Sequence, residues 1–327
     1  MTNLLTIIGI VVVCVLIVLF YIRELNKTPN DVEFDSTFSL KSITDNVAKV
    51  FADTQRENLS EQNLSKLELD AARRKKRELK DNLKTAAYGD PNAKKFILST
   101  IADILQSKQF GISPDTIDKV ISFNYPNSLD NRIKVDIVYY IYYKLYGNRG
   151  FNNLVLDYGL NKRKPITEAD EERGVPPYEV SVKDIQHIYT DIIHKHPLTY
   201  EDKLSILARR VFADYKGFGP VDWLFEFALD EIDCGVSGVP HGLFEVKKEM
   251  ITDLFEYSYE SVWILYSGRN IKMSCMSFGS QKELERVSRN VYKYSAPHAL
   301  TINFPYVVGT MKDGSRISAA RPDVSTS

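Results

Sequence analysis

Near Tyr215 the apolar residues of this chain change their spacing. Before that point they recur every three or four positions. Phe96, Ile97, Ile101, Ile104 and Leu105 fall on one side of a helix expected over Ala93–Gln106, and Leu64, Leu67, Leu79 and Leu83 form a thinner stripe in Leu59–Ala87. Beyond it, Asp230–Val236, Ser261–Tyr266 and Asn270–Phe278 are rich in β-formers and read as strands. Helices first and strands later predict an α+β fold, with an antiparallel sheet and helices packed on it.

Local signals punctuate this pattern. Asp90-Pro91 is a helix start, and Ser113-Pro114-Asp115 opens a short helix through Phe123. Leu129–Tyr146 holds Tyr139, Tyr140, Tyr142, Tyr143 and Tyr146, read as core of a helical region rather than a stack for bases. Gly147 ends that helix, and Phe151–Tyr158 follows. Further helices are expected over Val182–His194 and Thr199–Tyr215, the second opened by Thr199 with Glu201 and Asp202 in its first turn. Ser280, with Glu283 three residues on, caps a helix carrying Leu284, Val287 and Val291. Ser267-Gly268-Arg269-Asn270 and Asp313-Gly314 read as hairpin turns.

At the start of the sequence, Leu4–Ile22 is an apolar run broken only by Thr6 and Gly9. Its nineteen residues would rise about 28 Å as a helix, close to the thickness of a bilayer core. A cleaved signal peptide fits less well, because Met1-Thr2-Asn3 has no basic side chain and Ile22-Arg23-Glu24 is a poor cleavage site. Arg23 and Lys27 follow the run, so the bulk of the chain is expected on the cytoplasmic side of the cell membrane. The organisation expected is a transmembrane anchor over 1–22, a tether over 23–58, a helical region over 59–160, a linker over 161–181 and an α+β domain over 182–327. Within the helical region, Arg73-Arg74-Lys75-Lys76-Arg77 has two readings: contact with anionic lipid, or a solvated helix face.

Chemistry is sparse in the sequence. The formal net charge of -1 implies no nucleic-acid partner. Cys14, Cys234 and Cys275 form no CxxC and read as buried reduced thiols, so no metal site is expected. No GxxxxGK[ST] is present, so nothing here cradles phosphate as a P-loop does. GxSxG, HExxH and GxGxxG are absent too, and His187, His194, His196, His241 and His298 read as structural or exposed.

One stretch is more informative. Ala208-Arg209-Arg210-Val211-Phe212-Ala213-Asp214-Tyr215 leads into Gly217-Phe218-Gly219-Pro220, then Asp230-Glu231-Ile232, and much later Asp313-Gly314-Ser315-Arg316 and Arg321-Pro322. The glycines permit a tight exit from a helix, and Pro220 suits the start of the next turn. In order and spacing, residues 200–327 resemble the N-terminal sensor-like domain of the type II/type IV secretion ATPase superfamily, in the branch that powers Tad/Flp-type pili. The resemblance implies a domain that sits before a P-loop motor, with basic residues approaching the nucleotide that the motor holds. By that resemblance Arg316 is the first nucleotide-contacting candidate and Arg321 the second, while Gly217, Gly219, Pro220, Asp313 and Gly314 are structural turn residues. It also implies ATP and Mg2+ for a full-length member, a hexameric homo-oligomer, and inner-membrane platform proteins as partners. No catalytic or metal-binding residue is expected in these 327 residues, which either belong to a longer ATPase or form a shortened, non-catalytic scaffold of a secretion or conjugation system. A third expectation is a tethered sensory domain with a small-ligand pocket in the 218–327 sheet.

Overall fold

The computed structural model describes residues 38–59, 65–168, 176–237 and 258–321. The expected anchor, residues 1–22, lies outside them. Among the described residues no helix is long and apolar enough to cross a membrane.

The fold is α+β, with the helices gathered ahead of the strands. In chain order the helices are α1 (Leu40–Arg56), α2 (Lys66–Ala86), α3 (Pro91–Gln106), the single turn α4 (Ile117–Val120), α5 (Asn131–Tyr146), α6 (Gly150–Tyr158), α7 (Val182–Lys195) and α8 (Tyr200–Tyr215). Then come β1 (Glu231–Ser237), β2 (Ser258–Tyr266), β3 (Arg269–Lys272), α9 (Gln281–Tyr292), β4 (Tyr306–Thr310) and β5 (Arg316–Ala320). The expected caps form: the side chains of Asp90, Thr199 and Ser280 each accept from backbone N–H groups in the first turn of α3, α8 and α9.

Residues 40–56 correct one expectation. The sequence reading placed them in a tether, but they form α1. Ile43, Val47 and Phe51, four residues apart, make one buried face, and Phe51 stacks on Tyr215 at the end of α8 with ring centroids 6.0 Å apart. The short helix expected from Ser113 to Phe123 shrinks to α4, because Ile121 is already in extended backbone.

Two antiparallel units make up the sheet portion. In the first the strand order is β1-β2-β3, with Ile232 opposite Ile264 and Ile264 opposite Ile271. The β2–β3 turn is Ser267-Gly268, both with positive φ (49° and 74°), the geometry whose twist suits a two-residue hairpin. β3 stops at Lys272, earlier than the expected Phe278. Met273, Cys275, Met276 and Phe278 are buried there as irregular chain, held by Met273 N–H to Val262 O (2.8 Å) and Cys275 N–H to Val180 O (3.1 Å). Val180 N–H in turn donates to Lys272 O (2.8 Å), so the end of the expected 161–181 linker is stitched to the sheet. The second unit is the β4–β5 hairpin, which rests on α9.

One hydrophobic cluster runs from Ile43 through α3, α5, α7 and α8 to Met311 and is continuous across 161–181. α7 and α8 pack with α5 as well as with the chain that follows them: Lys134 of α5 donates to Gln186 of α7 (2.5 Å), and Arg210 of α8 binds Asp136 of α5.

Candidate functional site

The turn after α8 is densely bonded. Gly217 N–H closes on Phe212 O (2.8 Å), Phe218 is buried, and Gly219 adopts a φ of +58° before the single 3-10 turn Gly219–Val221 that contains Pro220. Only glycine takes that φ without strain. At Gly217 the reason is space: a Cβ would sit 2.5 Å from Asp222 Oδ1 and 2.9 Å from Ala213 Cα.

Charged side chains fix this turn from several helices. Buried Arg210 donates through Nη2 to Gly219 O (2.8 Å) and Asp214 Oδ1 (3.0 Å), and through Nη1 to both oxygens of Asp136 (3.2 and 3.3 Å). Asp222 accepts from Phe218 N–H (3.1 Å), with the Lys94 ammonium 2.8 Å from its other oxygen. Lys94 and Arg209 also grip Glu226, at 2.7 and 2.9 Å, and the Arg209 guanidinium lies 3.8 Å from the Trp223 ring centroid. From α9, Arg286 reaches Gly217 O (2.9 Å) and Ala213 O (3.0 Å), and Asn290 reaches Lys216 O (2.7 Å). These donors meet the free carbonyls at the C-terminus of α8, where positive charge is favourable. Burial raises the Asp136 carboxyl above its usual range although Arg210 opposes it. Burial also disfavours charge at Glu226, but Lys94 and Arg209 overcome it and hold that carboxyl down to about 2. Gly217, Gly219 and Pro220 thus sit in a buried, internally paired hub. It joins the helices to α9, and Arg210 Nε and Trp223 Nε1 are buried in it without a hydrogen-bond partner among the described residues.

α9 carries the hairpin. Ser295, just beyond α9, exchanges hydrogen bonds with the backbone of Thr310 (2.6 and 2.7 Å). Val307 and Met311 are buried, and Lys312 N–H donates to Tyr88 O (2.9 Å). Asp313 and Gly314 make the β-turn: Asp313 accepts from Ser315 N–H (2.9 Å) and Gly314 has a φ of +92°.

The opposite face of the hairpin is uncovered among the described residues. Tyr306 and Val308 of β4 lie on it, each 66% exposed. Ile302 (77%) and Phe304 (52%) are exposed in the turn before β4, where Thr301 and Phe304 bond each other's backbone and His298 stacks on the Phe304 ring. Residues opposite each other in the ladder share a face, so Ala320, Ser318 and Arg316 lie on the same side, across from Tyr306, Val308 and Thr310. Arg316 is exposed at the turn end of β5 and has no ion-pair partner among the described residues. Arg321 is half-buried at the other end, where its N–H donates to Pro305 O (2.8 Å). Five residues of strand separate the two arginines by about 17 Å, so the fold does not bring them to one point.

A cleft of about 260 Å³ lies between α5, α6 and α7. Tyr142 and Tyr158 donate into it to Asp157 (2.7 Å) and Asp191 (2.6 Å), and Lys195 pairs with Asp191 (2.7 Å). Burial, then these carboxylate acceptors, push both phenols above their usual range. The cleft belongs to the helices, whereas the sequence reading had looked for a ligand pocket in the sheet. Tyr142, Asp157, Tyr158, Asp191 and Lys195 are already paired there. Among the described residues no group of His, Cys, Asp or Glu is placed to hold a metal ion.

Sequence reasoning had singled out Arg316 and the Asp-Gly turn but not the apolar side chains beside them. The signal was present only as the alternation of Tyr306 and Val308 within β4. Alternation identifies a strand, however, without saying which face meets the core. Comparison with protein-family models, with characterised proteins and with solved structures gives no match.

Proposed function

We propose that this chain is the membrane-anchored, non-hydrolysing portion of a secretion or pilus-assembly ATPase, docking on a motor module through the outer face of the β4–β5 hairpin. The observation that carries the reading is the exposed pair Tyr306 and Val308 on β4, with Ile302 and Phe304 exposed in the turn before it and Arg316 at the other end of the ladder. A contiguous exposed apolar patch is a common mark of an interaction surface. A guanidinium at its rim offers a planar fork of donors that fits phosphate, and it stabilises charge during phosphoryl transfer. ATP and Mg2+ belong to the motor in this reading. Arg316 is the group that reaches them, and Arg321 secures the base of the hairpin. The apolar run Leu4–Ile22 is the anchor, and the hexamer and the inner-membrane platform proteins are the assembly this portion joins.

Sequencing the coding DNA through codon 327 and assaying the product of the whole reading frame tests this. A P-loop motor in frame, with ATP turnover falling tenfold or more on Arg316→Ala and little change on Arg321→Ala, is the expected result. A stop directly after codon 327, or turnover unchanged by Arg316→Ala, overturns it. The exposure of these apolar side chains favours a second reading, a tethered scaffold protein that binds an apolar partner without any nucleotide. That reading predicts partner loss on Val308→Lys and no effect of Arg316→Ala.

A further inference from the structure

Between Lys66 and Lys84, α2 carries eight basic side chains against four acidic ones. Lys66, Arg73, Arg77, Lys80 and Lys84 recur at intervals that place them along one side of the helix, a stripe about 27 Å long. All five are exposed. Arg73 alone meets a carboxylate, Asp70, at 3.9 Å with both side chains more than half exposed; the other four have no ion-pair partner among the described residues. Some other surface lysines are paired, as Lys144 with Asp202 and Lys195 with Asp191. Like charges three and four residues apart repel, as Arg73 with Arg77 and Arg77 with Lys80, and Asp70 and Asp81 at the same spacings offset this only in part.

Packing gives α2 little in return. Leu83 and Ala86, both near its C-terminal end, are its buried residues, whereas Leu67 at the other end is 83% exposed. The helix is held at one end and projects at the other. At its held end, the α2–α3 corner meets the β4–β5 hairpin, Tyr88 O accepting from Lys312 N–H (2.9 Å).

We propose that the Lys66–Lys84 stripe lies along a bilayer surface containing anionic phospholipid. Charge complementarity carries the proposal: a straight row of exposed cations, four of them without an ion pair among the described residues, fits a flat sheet of phosphates. The choice of lipid over another polyanion rests on reading Leu4–Ile22 as a membrane segment. Residues 23–39 connect that run to α1 and reach at most about 60 Å, which tethers the helices within reach of the same bilayer.

The test uses the whole chain, floated with phosphatidylcholine vesicles and with vesicles containing about 30 mol % phosphatidylserine, each cation near such a surface being worth roughly fivefold in partitioning. Amide hydrogen exchange of residues 65–82 is then read in both membranes. Exchange at least tenfold slower with phosphatidylserine is expected. About 1 M NaCl, where charges are screened within about 3 Å, should remove the protection. So should Arg73→Gln/Arg77→Gln/Lys80→Gln, a variant of exposed side chains whose folding is checked by its unchanged melting temperature. Equal exchange in both membranes overturns the proposal, as does protection by a short DNA duplex but not by phosphatidylserine. Failure to float with phosphatidylcholine, joined to flotation with phosphatidylserine, sinks the anchor reading while upholding the stripe.

Discussion

Replacing Arg210 by methionine removes a buried charge while keeping much of its volume. In the native protein that guanidinium serves Asp136, Asp214 and Gly219 O at once, and Asp136 is itself buried. The variant strands the Asp136 carboxylate in the interior and frees one acceptor on the Gly219 carbonyl. Removing one partner of a buried pair costs about 3–5 kcal/mol, a large share of the roughly 5–15 kcal/mol that keeps a typical protein folded. Urea unfolding followed by the fluorescence of buried Trp223 measures the loss. The effect should depend on pH in a defined direction. Asp136 already has a raised carboxyl pKa in the folded state, mainly through burial, and loss of Arg210 raises it further. A carboxyl raised on folding binds protons more readily in the native state. It therefore favours folding at low pH and opposes it as pH rises through the folded value. The deficit of Arg210→Met should accordingly be largest near neutrality and shrink on mild acidification. Adding Asp136→Leu should recover a good part of it, since an apolar pair replaces the orphaned charge. A loss below about 1 kcal/mol at neutral pH would show that water or rearrangement serves Asp136 as well as Arg210 does, and would refute the argument.

Glu226 gives the opposite pH dependence. Its carboxyl is held at about 2, below its ordinary 4.5, so its contribution is complete above the unfolded value and is lost as pH falls toward 2. The shift corresponds to about 3 kcal/mol, and Glu226→Gln should flatten the fall in urea midpoint between about pH 5 and pH 2; an acid limb of unchanged steepness would contradict the assigned ion pairs. Two glycines separate crowding from backbone strain. Gly217→Ala pushes a Cβ against Asp222 and the α8 backbone and should cost about 1–3 kcal/mol, whereas Gly314→Ala has open space and should cost about 1–2 kcal/mol through its φ alone. Only the first should also weaken the α9 contacts, seen as faster amide exchange near Arg286 and Asn290.

Much of the local structure was legible because it rests on neighbours in sequence. Thr199, Ser280 and Asp90 cap their helices within three residues, and Asp313-Gly314 closes its turn by itself. The misreadings arose where distant partners decide. The segment Leu40–Arg56 is polar on average, and the buried face made by Ile43, Val47 and Phe51 has meaning only against α8. Met273–Phe278 has strand-like composition, but its N–H groups go to Val262, Val180 and a local turn instead of extending β3.

By itself the sequence determined the succession of helices and strands, the turn positions and the cationic character of α2, because periodicity, capping and charge act over a few residues. Tertiary structure alone decided that Arg209 and buried Arg210 are paired with carboxylates of other segments, that Arg316 and Arg321 stand at opposite ends of a strand, and that Tyr306 and Val308 face outward. Burial and ion pairing depend on which segments meet, and neither composition nor spacing records that meeting.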